Sequence, residues 1–227
     1  TNGEMIPQME LSCPETIRRH YDELHRMDFS PPCYSILPSL SKLMIHSWLS
    51  ALQMERLEQK RALIARRLDK CANNWEDVFF ITLARNFGFG LNGDAFELWA
   101  SSLQLRAVDK HRDNLLQVEA FFFGQAGLLQ GEDSLYDLYY QNLKKEYEYL
   151  RCKFELPLPM NKAVWRFLRL RPDSFPHIRL AQLAYLYNVR ESLFSQVMDA
   201  ESLLEVRKLL AGTTSSYWET HFTFSRE

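Results

Sequence analysis

In the run Trp165-Arg166-Phe167-Leu168-Arg169-Leu170-Arg171, arginines interleave with large apolar side chains. Pro172 and Pro176 then break the chain, and Arg179 follows. A guanidinium offers a planar fork of N–H donors that suits oxyanions, phosphate above all. From Lys162 to Arg190 there are six Lys or Arg and one acid, Asp173, in a chain of formal net charge -2. Arg166 and Arg169 are three apart and share a face if the segment is helical. Pro172 and Pro176 stiffen a loop ahead of a helix beginning near Ile178, whose free N–H groups add to an anion site. Two readings stand side by side. In one, Arg166, Arg169, Arg171 and Arg179 meet the phosphates of a nucleic acid or another anion. In the other they tie loops together through carboxylates such as Glu97, Asp137 and Glu155, the commoner fate of such charge clusters.

Other reactive side chains make weaker patterns. Phe123-Gly124-Gln125-Ala126-Gly127 places two glycines three apart, but no Gly-Lys-Ser/Thr follows, so it is no phosphate loop. Close packing of two chain segments explains it better. His20-x-x-Glu23 and Asp22-x-x-His25 share one helix. A di-metal bundle needs such motifs on two helices, and there is no second copy, so no metal site is expected. No Ser or Cys sits in a nucleophile elbow. Neither a catalytic set nor a cofactor is expected.

The elements that must position these groups read as helices. Ser12-x-x-Glu15 suggests a capping box for a first helix over about 13–27. Ser30-Pro31-Pro32 breaks the chain, and residues from Ser39 to about Asn73 lack Gly and Pro, giving one long amphipathic helix with room for a break near residue 55. Asn74 caps the next helix, with Gly88 at its C′ position. Further helices are expected over about 93–105, 109–128, from Ser134-x-x-Asp137 to about Arg151, and over 161–169, 178–187, 190–198 and 200–210. Trp75, Phe79, Leu83, Phe121, Phe122, Leu128, Trp165 and Leu183 are the expected core. The aromatic stretch Tyr217–Phe224 should dock on it.

The expected fold is all-α, a multi-helix bundle with one long N-terminal helix and a short extended segment at the start. Only 8 Gly and 9 Pro in 227 residues argue against a turn-rich sandwich or barrel. The division expected is 1–12 as the remnant of an upstream β-rich domain, 13–72 as a long-helix arm, and 73–227 as a compact bundle, continuous with 13–72 or separate from it. Asn2-Gly3 is a hairpin signal with no strand before it, which suggests a strand in an upstream part. Cys13, Cys33, Cys71 and Cys152 are too far apart for a zinc cluster and read as mostly buried thiols in a reducing compartment. No apolar run approaches the ~18 residues of a membrane span.

Several phrases resemble a bacterial domain-of-unknown-function family, number 2851. They are Trp75-Glu76-Asp77 through Asn86-Phe87-Gly88-Phe89, Val118 through Leu129, Leu170-Arg171-Pro172 with Phe175-Pro176 and Ile178 through Ala184, and Tyr217-Trp218 with His221-Phe222. The resemblance implies a two-part protein, with a β-rich part like a restriction-endonuclease core and a helical C-terminal part. This chain resembles the helical part and carries neither nuclease-like motif. The function expected is therefore a non-catalytic accessory or interaction domain of a larger, nuclease-like cytoplasmic protein. Its expected partners are the upstream domain of the same chain and nucleic acid, with no membrane. Two alternatives stay open: a protein-binding helical module with no nucleic-acid role, and a small-molecule enzyme with an arginine-lined anion pocket.

Overall fold

The structure is a computed structural model that describes residues 12–26, 36–131 and 137–224. The expected hairpin at Asn2-Gly3, the breaker at Ser30-Pro31-Pro32, Cys33 and Ser134 lie outside these. Among the described residues every regular element is helical and there is no strand. The chain divides into two compact units, Thr1–Arg61 and Ala62–Glu227.

The first unit holds α1 (Glu15–Arg26) and the beginning of α2 (Lys42–Lys70). The carbonyl of Pro14 accepts from the N–H groups of Ile17 and Arg18, so Glu15 opens α1 and Ser12 lies too far upstream to cap it. The long helix is the second one, and it runs unbroken through residue 55. With nothing between Lys42 and Lys70 that removes a backbone donor or adds chain entropy, it has no reason to break.

The second unit takes the end of α2 and then α3 (Trp75–Phe87), α4 (Gly93–Ser102), α5 (Leu105–Asp109), α6 (Leu115–Gln125), α7 (Leu138–Phe154), α8 (Pro176–Val189), α9 (Leu193–Asp199) and α10 (Leu203–Leu209). Side-chain caps set several starts. Asn74 accepts from the N–H groups of Glu76 and Asp77, Asn114 from Gln117, Asp137 from Tyr139 and Tyr140, and Ser202 from Glu205. The Asn114 cap explains why the expected helix over 109–128 begins only at Leu115. It ends early because Gly127 turns left-handed, at φ +74°.

At the centre of this unit is α6, buried on every side from Val118 to Gln125 and packed against α7 and α8. A helix apolar all round belongs inside a core. Gly124 is what lets α7 come so near: a Cβ there would lie 2.1 Å from the ring of Tyr147. Trp99 donates its indole N–H to Phe122 O at 3.1 Å, and Trp165 donates to Ala126 O at 2.9 Å. Arg112 seals the end of α8 by donating to the carbonyls of Tyr187 and Arg190 while lying over the Tyr187 ring. The aromatic C-terminal stretch docks, burying Trp218 and Phe224 beside Phe123.

Three expectations fail for stateable reasons. Trp75 is 52% exposed. As the first residue of α3 it lies, at about 100° per residue, on the far side from Phe80, Ile81 and Ala84, and of the buried residues of α3 only Val78 is near its direction. Gly88 is not a left-handed C′ residue. Its φ is -72°, Phe89 and Gly90 take the positive angles, and Gly88 is needed because a Cβ would lie 2.5 Å from the backbone of Asn92 and Gly93. Cys13 and Cys152 are exposed thiols rather than buried ones, and Cys71 is half-buried.

Candidate anion-binding site

The segment carrying the arginines is not the helix expected over 161–169. A single 3-10 turn covers Lys162–Val164, capped by the Asn161 side chain, and Trp165 is already extended. The reason is Asn92. Its side-chain carbonyl accepts from Arg166 N–H at 2.9 Å and its amide donates to Arg166 O at 2.8 Å. Both backbone groups of Arg166 are thereby taken out of any helical ladder. Arg166 and Arg169 consequently share no helix face. The chain runs extended to Phe167 and then turns at Leu168-Arg169, where Leu170 N–H donates to Phe167 O at 3.1 Å. Trp165 is buried and Phe167 and Leu170 are half-buried, while Arg166, Leu168, Arg169 and Arg171 are exposed. Phe167 packs on Phe175 and His177 and holds the inner side of the segment. Arg169 sits at φ +66°, a region that bulky residues seldom occupy.

Among the described residues, Arg166, Arg169 and Arg171 form no ion pair. The carboxylates that could have tied them down are differently placed. Glu97 binds Arg67 and Arg85, Asp137 caps α7 and accepts from Tyr217, and Glu155 is the left-handed cap that ends α7.

Arg179 is set apart from the other three. From the first turns of α8 it lines a cleft of about 850 Å³ together with Leu83, Arg85, Phe87, Gln182 and Leu186. Its guanidinium lies 4.3 Å from the ring centre of Phe89 and donates to Gln182 Oε1 at 2.9 Å and Ser174 Oγ at 3.2 Å. Its Nε–H is buried without an acceptor. Burial pushes its pKa down, against a weaker attraction from Asp173. The second arginine of the cleft, Arg85, is paired with Asp94 at 2.6 Å and Glu97 at 2.5 Å.

The model of the DUF2851 family, described as a protein of unknown function, matches residues 1–227. The chain belongs to that family. No curated protein and no solved structure matches it.

This DUF2851 chain also buries two titratable groups that its motifs did not single out. Glu119 is 1% exposed in the middle of α6. The Tyr139 hydroxyl donates to it, as does Ser215 Oγ at 3.2 Å. Burial pushes the Glu119 carboxyl up to about 7, with the hydrogen bonds from Tyr139 and Ser215 opposing it. Tyr139 stacks on Tyr217, and Tyr217 on His221, so the nest is closed by the C-terminal stretch. His177 is 7% exposed among Phe123, Phe167, Trp218 and Phe224, and its Nδ1 has no partner. Burial lowers its pKa to about 3. The sequence did hold one signal for Glu119: it is the lone charged residue of α6, set among Val118, Ala120 and three phenylalanines. For Arg179 and Phe89, which are 90 residues apart, no local signal existed. Among the described residues no three His, Cys, Asp or Glu side chains gather as a metal site, and no helix is long and apolar enough to cross a membrane.

Proposed function

We propose that this chain is a non-catalytic helical accessory domain that engages nucleic-acid phosphates through Arg166, Arg169 and Arg171. The observation that supports the reading most is their presentation. The three guanidinia are exposed and, among the described residues, unpaired, on a segment whose backbone is fastened by Asn92. A fastened backbone lowers the entropy that must be lost when the side chains meet an anion. The larger cytoplasmic protein, with its nuclease-like part upstream, is supported by the family resemblance alone, as is a bacterial source. In that setting the domain positions nucleic acid or the neighbouring domain and performs no chemistry.

Arg169→Ala with Arg171→Ala, followed by anisotropy titrations of single- and double-stranded oligonucleotides at two salt concentrations, tests the reading. Binding should weaken, and the slope of log K against log salt should fall by about 0.7–0.9 for each phosphate no longer neutralised. The melting temperature should stay put, since among the described residues neither side chain carries an ion pair. A wild-type protein that binds no oligonucleotide, or a double variant that binds as well, ends the proposal.

A second reading is favoured by one observation. The first half of α2 exposes Leu43, Met44, Trp48 and Leu52, four large apolar side chains on one helix. Such a row suits a protein partner, the upstream domain included. Trp48→Ala should then weaken a pull-down of that domain while leaving oligonucleotide binding unchanged.

A further inference from the structure

The cleft beside Arg179 holds a charge that no ion pair compensates among the described residues. Two arginines line it, and they differ in their partners. Arg85 faces two carboxylates, Asp94 and Glu97. Among the described residues Arg179 touches only neutral groups: the Gln182 carbonyl, the Ser174 hydroxyl and the Phe89 ring. Asp173 acts on it only from beyond ion-pair distance. A guanidinium has five N–H donors. Two are engaged and the Nε–H is shut in, which leaves one donor on each terminal nitrogen. A planar pair of donors on a partly desolvated cation is matched by an oxyanion.

The rest of the cleft suits an apolar body. Leu83, Phe87, Leu186 and Leu210 are among its apolar walls, and Gly90, Gly93 and Gly212 line it without side chains. Its volume, about 850 Å³, lies within the range of about 300–1,000 Å³ in which small-molecule sites fall.

We propose that this cleft binds a small organic oxyanion, a carboxylate or phosphate monoester on an apolar body, with its charged end on Arg179 and its body against Leu83, Phe87, Leu186 and Leu210. This site does not depend on the exposed arginines. Its ligand is a discrete small molecule, whereas theirs is a polymer.

Calorimetric titrations with phenyl phosphate, benzoate, inorganic phosphate and phenol test it. Saturable binding is expected for phenyl phosphate or benzoate, and the stronger of the two identifies the headgroup. Inorganic phosphate should bind at least tenfold more weakly, and phenol not measurably. Arg179→Gln should weaken binding at least tenfold. Ala211→Trp, which fills the cleft from an exposed position, should abolish it in a protein that still melts cooperatively. Arg169→Ala with Arg171→Ala should leave it intact, so loss of nucleic-acid binding and loss of cleft binding are separate results. The proposal is overturned if neither organic anion saturates, if inorganic phosphate binds as tightly as phenyl phosphate, or if Ala211→Trp binds like the wild type.

Discussion

Replacing Glu119 by glutamine removes an ionisable group from the core and should change how stability depends on pH. In the folded chain burial raises this carboxyl from 4.5 to about 7. Between those values the folded state holds a proton that the unfolded state has released. Its contribution to stability is therefore full below about pH 4.5 and is lost as pH rises through about 7. At ~1.4 kcal/mol for each pH unit separating the two values, the loss comes to ~3 kcal/mol by pH 8. The groups around the carboxyl, the hydroxyls of Tyr139 and Ser215 and the indole of Trp218, bring no positive charge to offset it. Glutamine keeps a carbonyl for those hydroxyls but does not titrate. Urea unfolding of both proteins at several pH values between about 5 and 8 measures the effect. The variant should gain ~3 kcal/mol on the wild type across that interval. A difference between them that stays constant with pH would refute the placement of Glu119 in a desolvated, cation-free nest.

His177 supplies the opposite limb. Burial holds its pKa down near 3, so its contribution to stability is lost as pH falls below 6.5 toward that value. His177→Phe should gain ~3 kcal/mol on the wild type between about pH 6.5 and about pH 4 by the same urea titration, and a flat difference would count against a buried neutral imidazole. Gly124→Ala should lose about 1–3 kcal/mol, because the added methyl meets the Tyr147 ring. Shortening the ring by Tyr147→Leu in the same chain should recover part of that loss in a denaturant titration.

The helical character was legible because it rests on local signals. Asn74 and Asp137 cap where their side chains can reach the next free N–H groups, and the glycines of 123–127 mark a close crossing. The aromatic C-terminal stretch announced itself as core by its composition. The arginine segment was legible in identity but not in shape. Its spacing fits a helix, and the group that forbids one is Asn92, 74 residues away in the chain. Trp75 failed for a different reason. As the first residue of α3 it falls on the side turned away from Phe80, Ile81 and Ala84, so its apolar character alone misplaced it in the core. The Arg179 cleft unites α3, α8 and the residues after α10, and no window along the sequence contains all three.

The hydrogen bond from Ser215 to Glu119 joins residues 96 apart, and Trp218 and Phe224 reach back to Phe123 across similar lengths of chain. During synthesis this has a consequence. α6 is made before α7 to α10, and the side chains that cover its acid and its phenylalanine are made after them. Until residues near 224 clear the ribosome, the nascent chain displays the face of Phe123 and an unsheltered Glu119. Exposed apolar surface of this kind favours aggregation while α7 to α10 are being translated. Slow closure of so distant a contact makes the interval longer still. A stalled or truncated product lacking the aromatic stretch Tyr217–Phe224 is thus a natural target for chaperones and proteases.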